Sequence, residues 1–363
     1  MVLCCARNST DEQLSSRWRQ SLANLYVAIK IPALDTDVST ETMYAKLINH
    51  ANPSHEGLSF LRVPIDEFQL KTAAGTHFCL VYEPMRETLF RFQHRLKRQR
   101  LALPHFKFFM YGLLQALDYL HTECKLIHTG KLAPFTPPTT SAHDNLTRLA
   151  DIKDDNIMIT IENEKVLKDF VAASLKQPHP KHVREADGRE VYLSRDDFGR
   201  LQGARLIPEL ADFNLCYPVL DDGHGHLSPA QSHRYRAPEV FLGCPWTCSA
   251  DIWNLGLLVS HRIALLNCIP LSDTLQMWNL SEDVSLFDRP AGEDGEYDAH
   301  VHLAQMVSLL GNPPEALIAR EKLLREHRLK EPFVNAKGER HFNMNQYWGG
   351  PFFDDDGKSP CPA

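Results

Sequence analysis

The pattern of apolar and polar positions changes character along the chain. Tyr26-Val-Ala-Ile-Lys30-Ile31 is β-branched and aromatic and is closed by Pro32, which predicts a strand. Residues 41–49 read as a short helix, with Thr40 as a candidate cap and Asn52-Pro53 as its stop. Two strand-like runs follow, at residues 58–63 and 77–82, separated by polar residues 71–75. Residues 106–121 then place Phe108, Leu113, Leu114, Leu117 and Leu120 at helical spacing. Strands and a helix first, with helices dominant afterwards, predict an α+β chain in two lobes whose boundary lies near residues 83–87. Residues 166–206 are polar, with several prolines and glycines, and read as a surface excursion with local strands around 190–193. The tail beyond residue 331 is rich in Gly, Asp, Asn and Pro and shows no closing helix pattern.

Composition narrows the picture. A chain of 363 residues can bury a sizeable core, and 43% hydrophobic with 23% charged residues is ordinary for a soluble globular protein. The formal charge of -7 argues against a dedicated nucleic-acid binder and suits a basic partner. Nine scattered cysteines without a C-x-x-C pair indicate neither a zinc site nor a disulfide framework, and free thiols point to a reducing compartment. The apolar start, Met1-Val-Leu-Cys-Cys, is too short for a signal peptide, and no apolar run reaches the ~18 residues of a membrane span. The expectation is a soluble protein of the cytoplasm or nucleus.

The chemistry-bearing residues fall in a fixed order. Asp151-Ile-Lys153-Asp-Asp-Asn156 is followed by Asp212-Phe213 and then by Tyr235-Arg-Ala-Pro-Glu239. Phosphoryl transfer needs positioned charges more than covalent chemistry. A strand lysine must hold the α- and β-phosphates and a helix glutamate must hold that lysine; Lys30 and Glu41 fit. Asp151 would orient or accept the proton of a substrate hydroxyl, and Lys153 would neutralise the transferring phosphate. Asn156 and Asp212 would bind magnesium. Each piece alone has a bland reading: Lys30 as a solvated strand end, residues 151–156 as a polar turn. It is their order that gives the signal.

With these motifs the chain resembles eukaryotic protein kinases, and more closely the SR-protein kinases (SRPK-like), particularly their fungal branch. His128-Thr129 joined to Asp151-Ile-Lys153 would give His-Thr-Asp-Ile-Lys, where most kinases have His-Arg-Asp. Gly75-Thr-His-Phe-Cys-Leu-Val-Tyr-Glu83-Pro, Tyr192-Leu-Ser-Arg195, Ala250-Asp251-Ile-Trp253-Asn and Glu293-Asp-Gly-Glu-Tyr-Asp298 also look like that family. The resemblance implies a bilobal kinase fold, with an N-lobe over residues 1–85 and a C-lobe over 86–363. It implies ATP and Mg2+ as cofactors, Ser/Thr phosphorylation of protein substrates such as Arg/Ser-rich splicing-type proteins, no direct contact with nucleic acid or membrane, and a monomer. By the same match Glu83 and Met85 sit at the adenine hinge, with Tyr82 as gatekeeper. Thr129 replaces an arginine that usually receives an activation-segment phosphate, so no such phosphorylation is expected to be required.

The chain also departs from the family. Residues 3–8 resemble the strand after the Gly-rich loop, so that loop is expected to be absent. Asn214 stands where Gly usually follows Asp-Phe, tolerable because Asn also visits positive φ. Glu239 is expected to be a buried carboxylate lacking its usual arginine partner. Residues 130–150 split the catalytic loop, and residues 259–276 split the helix that begins Asp251-Ile-Trp253. Both read as translated, unspliced introns: Gly130-Lys131 can be encoded as G|GTAAG and Ala150-Asp151 as GCAG|AC, while Val259-Ser260 can read GTGAGT and Gln276 CAG. Deleting them restores His-Thr-Asp-Ile-Lys and Leu257-Leu258-Met277-Trp278-Asn279. Genuine surface loops are the rival explanation. For the whole chain the rivals are a non-catalytic pseudokinase acting as a binding module and a small-molecule kinase. The Ala-Pro-Glu and Asp-Ile-Trp motifs argue against the latter.

Overall fold

A computed structural model of the chain describes residues 2–5, 26–32, 34, 38–73, 75–96, 101–130, 152–177, 180–183, 188, 190–192, 197–221, 223–266, 287, 291–292, 295, 297–329, 332–334 and 338–357. The N-terminal part is an antiparallel sheet carrying one helix. Strand β1 (Val2–Cys5) pairs with β2 (Tyr26–Lys30). Helix α1 (Ser39–His50) follows, then β3 (Asp66–Thr72) and β4 (Gly75–Tyr82), giving the sheet order β1-β2-β4-β3. The last four residues of central β4 are buried, and on one face Ala28, Leu80 and Tyr82 form a small core.

Two local expectations are corrected here. Residues 58–63 are not a strand: Glu56–Phe60 form a 3-10 turn and Leu61 makes only an isolated bridge to Leu210. Packing overrides strand propensity at this point. A Cβ on Gly57 would lie 2.1 Å from the Gln115 carbonyl oxygen, and one on Gly112 would lie 2.5 Å from the Phe60 ring. The turn is thereby pressed flat against the following long helix. Helix α1 also starts earlier than Thr40 suggests; its cap residue is Val38, with no side-chain capping bond.

The strand β5 (Met85–Thr88) leads to α2 (Leu89–Arg95) and the long α3 (Leu103–Asp118), which ends in a π turn at Tyr119–Glu123. The buried stripe of α3 is Phe106, Phe109, Leu113, Ala116 and Leu117; Phe108 and Leu114 are exposed, so the inward face is rotated from the one the apolar spacing predicts. Short strands follow: β6 (Leu126–Ile127), β7 (Ile157–Thr160), then α4 (Glu164–Lys176), β8 (Lys181–Val183), β9 (Glu190–Tyr192), β10 (Pro208–Leu210) and β11 (Tyr217–Pro218). They form a β10-β7-β5 sheet and two ribbons, β11-β6 and β8-β9. The excursion therefore holds the expected strand near residue 190, and a helix capped by the Asn163 side chain that the polar composition did not announce.

Helices α5 (Pro238–Phe241), α6 (Ser249–Leu266), α7 (Ala299–Leu310) and α8 (Glu315–Leu324) complete the larger part, with β12 (Phe333–Val334), β13 (Arg340–His341) and α9 (Met344–Trp348) near its end. Helix α6 continues through residue 259 to Leu266, so it includes the first eight residues of segment 259–276. The tail beyond residue 331 does contain a short helix, and Phe352 and Phe353 are fully buried against a cluster with Phe241, Leu303 and Met306. The architecture is α+β and bilobal: a small antiparallel sheet with α1, and a larger, mainly helical part. A main core joins the two, running from Ile48 on α1 through Phe109 and Leu113 to Leu210, Phe213 and Leu255. Among the described residues no helix is long and apolar enough to cross a membrane.

Candidate active site

Lys30 ends β2 and Glu41 lies in the first turn of α1. The Lys30 Nζ reaches both carboxylate oxygens of Glu41 at 2.7 Å, with Glu41 largely buried. A lysine at the end of an ordinary edge strand would be solvated; this one is held. Tyr82, at the end of β4, donates its hydroxyl to the same carboxylate at 2.8 Å.

The segment that follows β4 carries the other predicted contacts. Glu83 is exposed and Met85 is 4% exposed at the start of β5, opposite Thr160 in the β5–β7 register. Glu83 also acts at a distance on Glu209 in β10. Burial, reinforced by the Glu83 charge and opposed by Arg62, pushes the Glu209 carboxyl up to about 7.

Lys153 leads into the turn Asp154–Asn156, and the Asn156 N–H donates to its carbonyl at 2.9 Å. Antiparallel pairing of β7 with β10 sets Ile157 opposite Leu210, and the Ala211 N–H donates to the Asn156 carbonyl at 2.8 Å. Asn156 and Asp212 are thus neighbours across the ends of two strands. Asp212 itself is left-handed, with φ 73°. The positive φ therefore falls on the aspartate and not on Asn214, so Asn214 needs no special backbone tolerance at all. Asp151 lies outside the described residues.

Asn156 and Asp212 supply the oxygen donors that Mg2+ prefers, and Mg2+ needs few protein ligands because it keeps waters and substrate phosphates. The pair fits that ion. Among the described residues no group of three or more His, Cys, Asp or Glu side chains forms a further metal-binding cluster.

The base of the site is built around Asp251, fully buried on α6. It accepts from the His128 and Thr129 N–H groups at 2.8 Å, from the Thr129 hydroxyl at 2.6 Å, and pairs with His121 Nε2 at 2.8 Å. Burial would raise its carboxyl, but His121, His128 and Thr129 outweigh burial and hold it below the usual range. His128 in turn has Nε2 2.9 Å from the Ala211 carbonyl, with its ring edge-on to Phe213. His121 and the central role of Asp251 are what reading the sequence missed. The Ala-Asp-Ile-Trp motif was visible, but nothing local shows which backbone groups its aspartate caps.

Glu239 is also corrected. It is half-buried and not an orphan: its carboxylate accepts from the hydroxyl of the exposed Ser249 at 2.9 Å. The segment before it is held by protein groups. Arg236, fully buried, donates to the Ala230 and Gln231 carbonyls at 3.1 and 2.8 Å, with its guanidinium beside the Tyr297 and Trp348 rings. The Gln231 side chain bonds Ala250, Asn254 and the Ala237 N–H.

No protein-family model matches the chain. Curated relatives do. Over 80% of its length the chain is 32% identical to a serine/threonine protein kinase of Aspergillus fumigatus, covering 59% of that protein. It is 25% identical to the serine/threonine-protein kinase SRPK of Physarum polycephalum, over 78% of this chain and 59% of that one. By sequence, the chain is similar to serine/threonine protein kinases, among them one of the SRPK type. A protein kinase of Schizosaccharomyces pombe, dsk1, is 24% identical over 83% of this chain and 62% of its own length. The chain thus spans 59% to 62% of the length of these relatives.

Proposed function

We propose that the chain acts as an ATP-dependent serine/threonine protein kinase on basic, Arg/Ser-rich protein substrates. The observation that carries this reading is the Lys30–Glu41 ion pair at 2.7 Å. A lysine meant for phosphate oxygens must be fixed before the nucleotide arrives, and a partly buried carboxylate does that at little entropic cost on binding.

In this reading Lys30 binds the α- and β-phosphates, and the backbone around Glu83 and Met85 holds the adenine. Asn156 and Asp212 would hold Mg2+, which when bound offsets the negative charge of the phosphates. Asp151 accepts the proton of the substrate hydroxyl, and Lys153 stabilises the charge on the transferring phosphoryl group. The formal charge of -7 favours basic substrates. The relative named SRPK in Physarum polycephalum supports the same substrate class. A monomer in the cytoplasm or nucleus is part of the proposal. So is the division into lobes at residues 85 and 86, with residues 130–150 and 259–276 as unspliced introns.

The alternative is a non-catalytic pseudokinase acting as a binding module. An assay with Mg-ATP and an Arg/Ser-rich peptide decides between them. Phosphate incorporation that disappears in Asp151→Asn supports the kinase. Nucleotide binding without incorporation supports the pseudokinase.

A further inference from the structure

Beyond the gatekeeper place that the resemblance gives Tyr82, neither Tyr82 nor Arg62 carries a step of the chemistry above, yet they stand between its two halves. The Tyr82 hydroxyl donates to Glu41 Oε1 at 2.8 Å, the oxygen that also receives Lys30 Nζ at 2.7 Å. The ring is 5% exposed, and the Arg62 guanidinium lies 4.5 Å from its centre. Arg62 is tied through its backbone to the strand leading to Asp212: its N–H donates to the Leu210 carbonyl at 2.8 Å, and Leu61 bridges Leu210. A contiguous path therefore runs from Glu41 through Tyr82 and Arg62 to Leu210, two residues before Asp212.

We propose that Tyr82 is a positioning residue: its hydroxyl holds Glu41 in register with Lys30, and its ring, under Arg62, couples that pair to the strand leading to Asp212. Phenylalanine would fill the same volume but could not donate. Burial, and then the Glu41 charge and hydrogen bond, push the phenol well above its usual range, so it remains a donor throughout neutral pH. The catalytic consequence rests on the kinase reading; the hold on α1 does not.

The test uses the full chain with Tyr82→Phe, Arg62→Met and the double variant. Backbone hydrogen exchange of α1 is read beside that of the β3–β4 hairpin, together with kcat and KM for ATP. Loss of one hydrogen bond to a charged group predicts about tenfold faster exchange in α1 for Tyr82→Phe, and about tenfold lower kcat. The hairpin should be unchanged. The double variant should be no worse than about twofold beyond Tyr82→Phe, because both act through one path. Unchanged α1 exchange overturns the proposal. So does faster exchange spread equally into the hairpin, which would make the hydroxyl a general stabiliser, and so do purely multiplicative effects in the double variant. If the unmodified chain transfers no phosphate, the kinase reading fails, and the exchange data still decide the role of Tyr82.

Discussion

Thr129 donates twice to Asp251: its backbone N–H at 2.8 Å and its hydroxyl at 2.6 Å reach the same carboxylate oxygen, in a site from which solvent is excluded. Removing the hydroxyl by Thr129→Val leaves a buried charge short of one donor. Equilibrium urea unfolding should show a loss of about 1.5–3 kcal/mol. Asp251→Ala, which strands three donors and His121 together, should cost more than Thr129→Val; a smaller loss would mean that Asp251 is not the anchor.

His121 gives the fold a pH signature. Burial pulls its imidazolium down, but hydrogen bonds and charge from Asp251 and Cys248 outweigh burial and lift it to about 9, above the ordinary value of 6.5. A group whose folded pKa is raised contributes stability that is complete below its unfolded value and is lost as pH rises through the folded one. Stability should therefore decline between pH 6.5 and about 9, and His121→Gln should flatten that decline. Thermal midpoints measured across this range check it; an unchanged slope in His121→Gln would exclude the assignment.

The segment before Glu239 should need no phosphate to be ordered. Thr129, which by the resemblance replaces the usual phosphate-binding arginine, is committed to Asp251. Trp246 bonds the Ser228 carbonyl, and Arg236 and Gln231 fix the rest. Phosphatase-treated protein should retain the full activity of untreated protein toward an Arg/Ser-rich peptide. A large drop after treatment would contradict this.

Just past the predicted hinge, Arg86 forms a bidentate pair with Glu162 at 2.8 and 2.9 Å, and neither side chain is exposed. Breaking it with Glu162→Gln should destabilise the chain by about 3–5 kcal/mol. The double variant Glu162→Gln with Arg86→Met should cost less than the sum of Glu162→Gln and Arg86→Met alone, since Glu87, the other carboxylate beside Arg86, keeps Arg95 and no unpaired charge then remains. Denaturant midpoints of the three variants measure this directly.

Residues 130–150 and 259–276 make a prediction at the level of the gene. Transcripts sequenced across both junctions should join the codon of Thr129 to that of Asp151, and the codon of Leu258 to that of Met277. Recovering only the longer forms would establish both segments as loops of the working protein.

Much of the site was legible because its signals are local. The Val-Ala-Ile run before Lys30 favours a strand by its own side chains, and Asp151, Lys153, Asn156 and Asp212 keep their sequence spacing whatever surrounds them. The α+β character followed from the same local patterns. Other features were settled only by packing. Residues 58–63 look like a strand, and only the close approach of Gly57 and Gly112 to neighbouring groups turns them into a 3-10 turn. Which face of α3 is buried, whether Glu239 finds a partner, and what Asp251 caps all depend on residues distant in sequence. So does the Tyr82 bond to Glu41, which spans 41 positions. Side-chain type and period are properties of a few neighbouring residues and are written in the chain itself. The partners of a buried polar group are fixed by which elements meet, and for Asp251 and Tyr82 only the tertiary structure decided that.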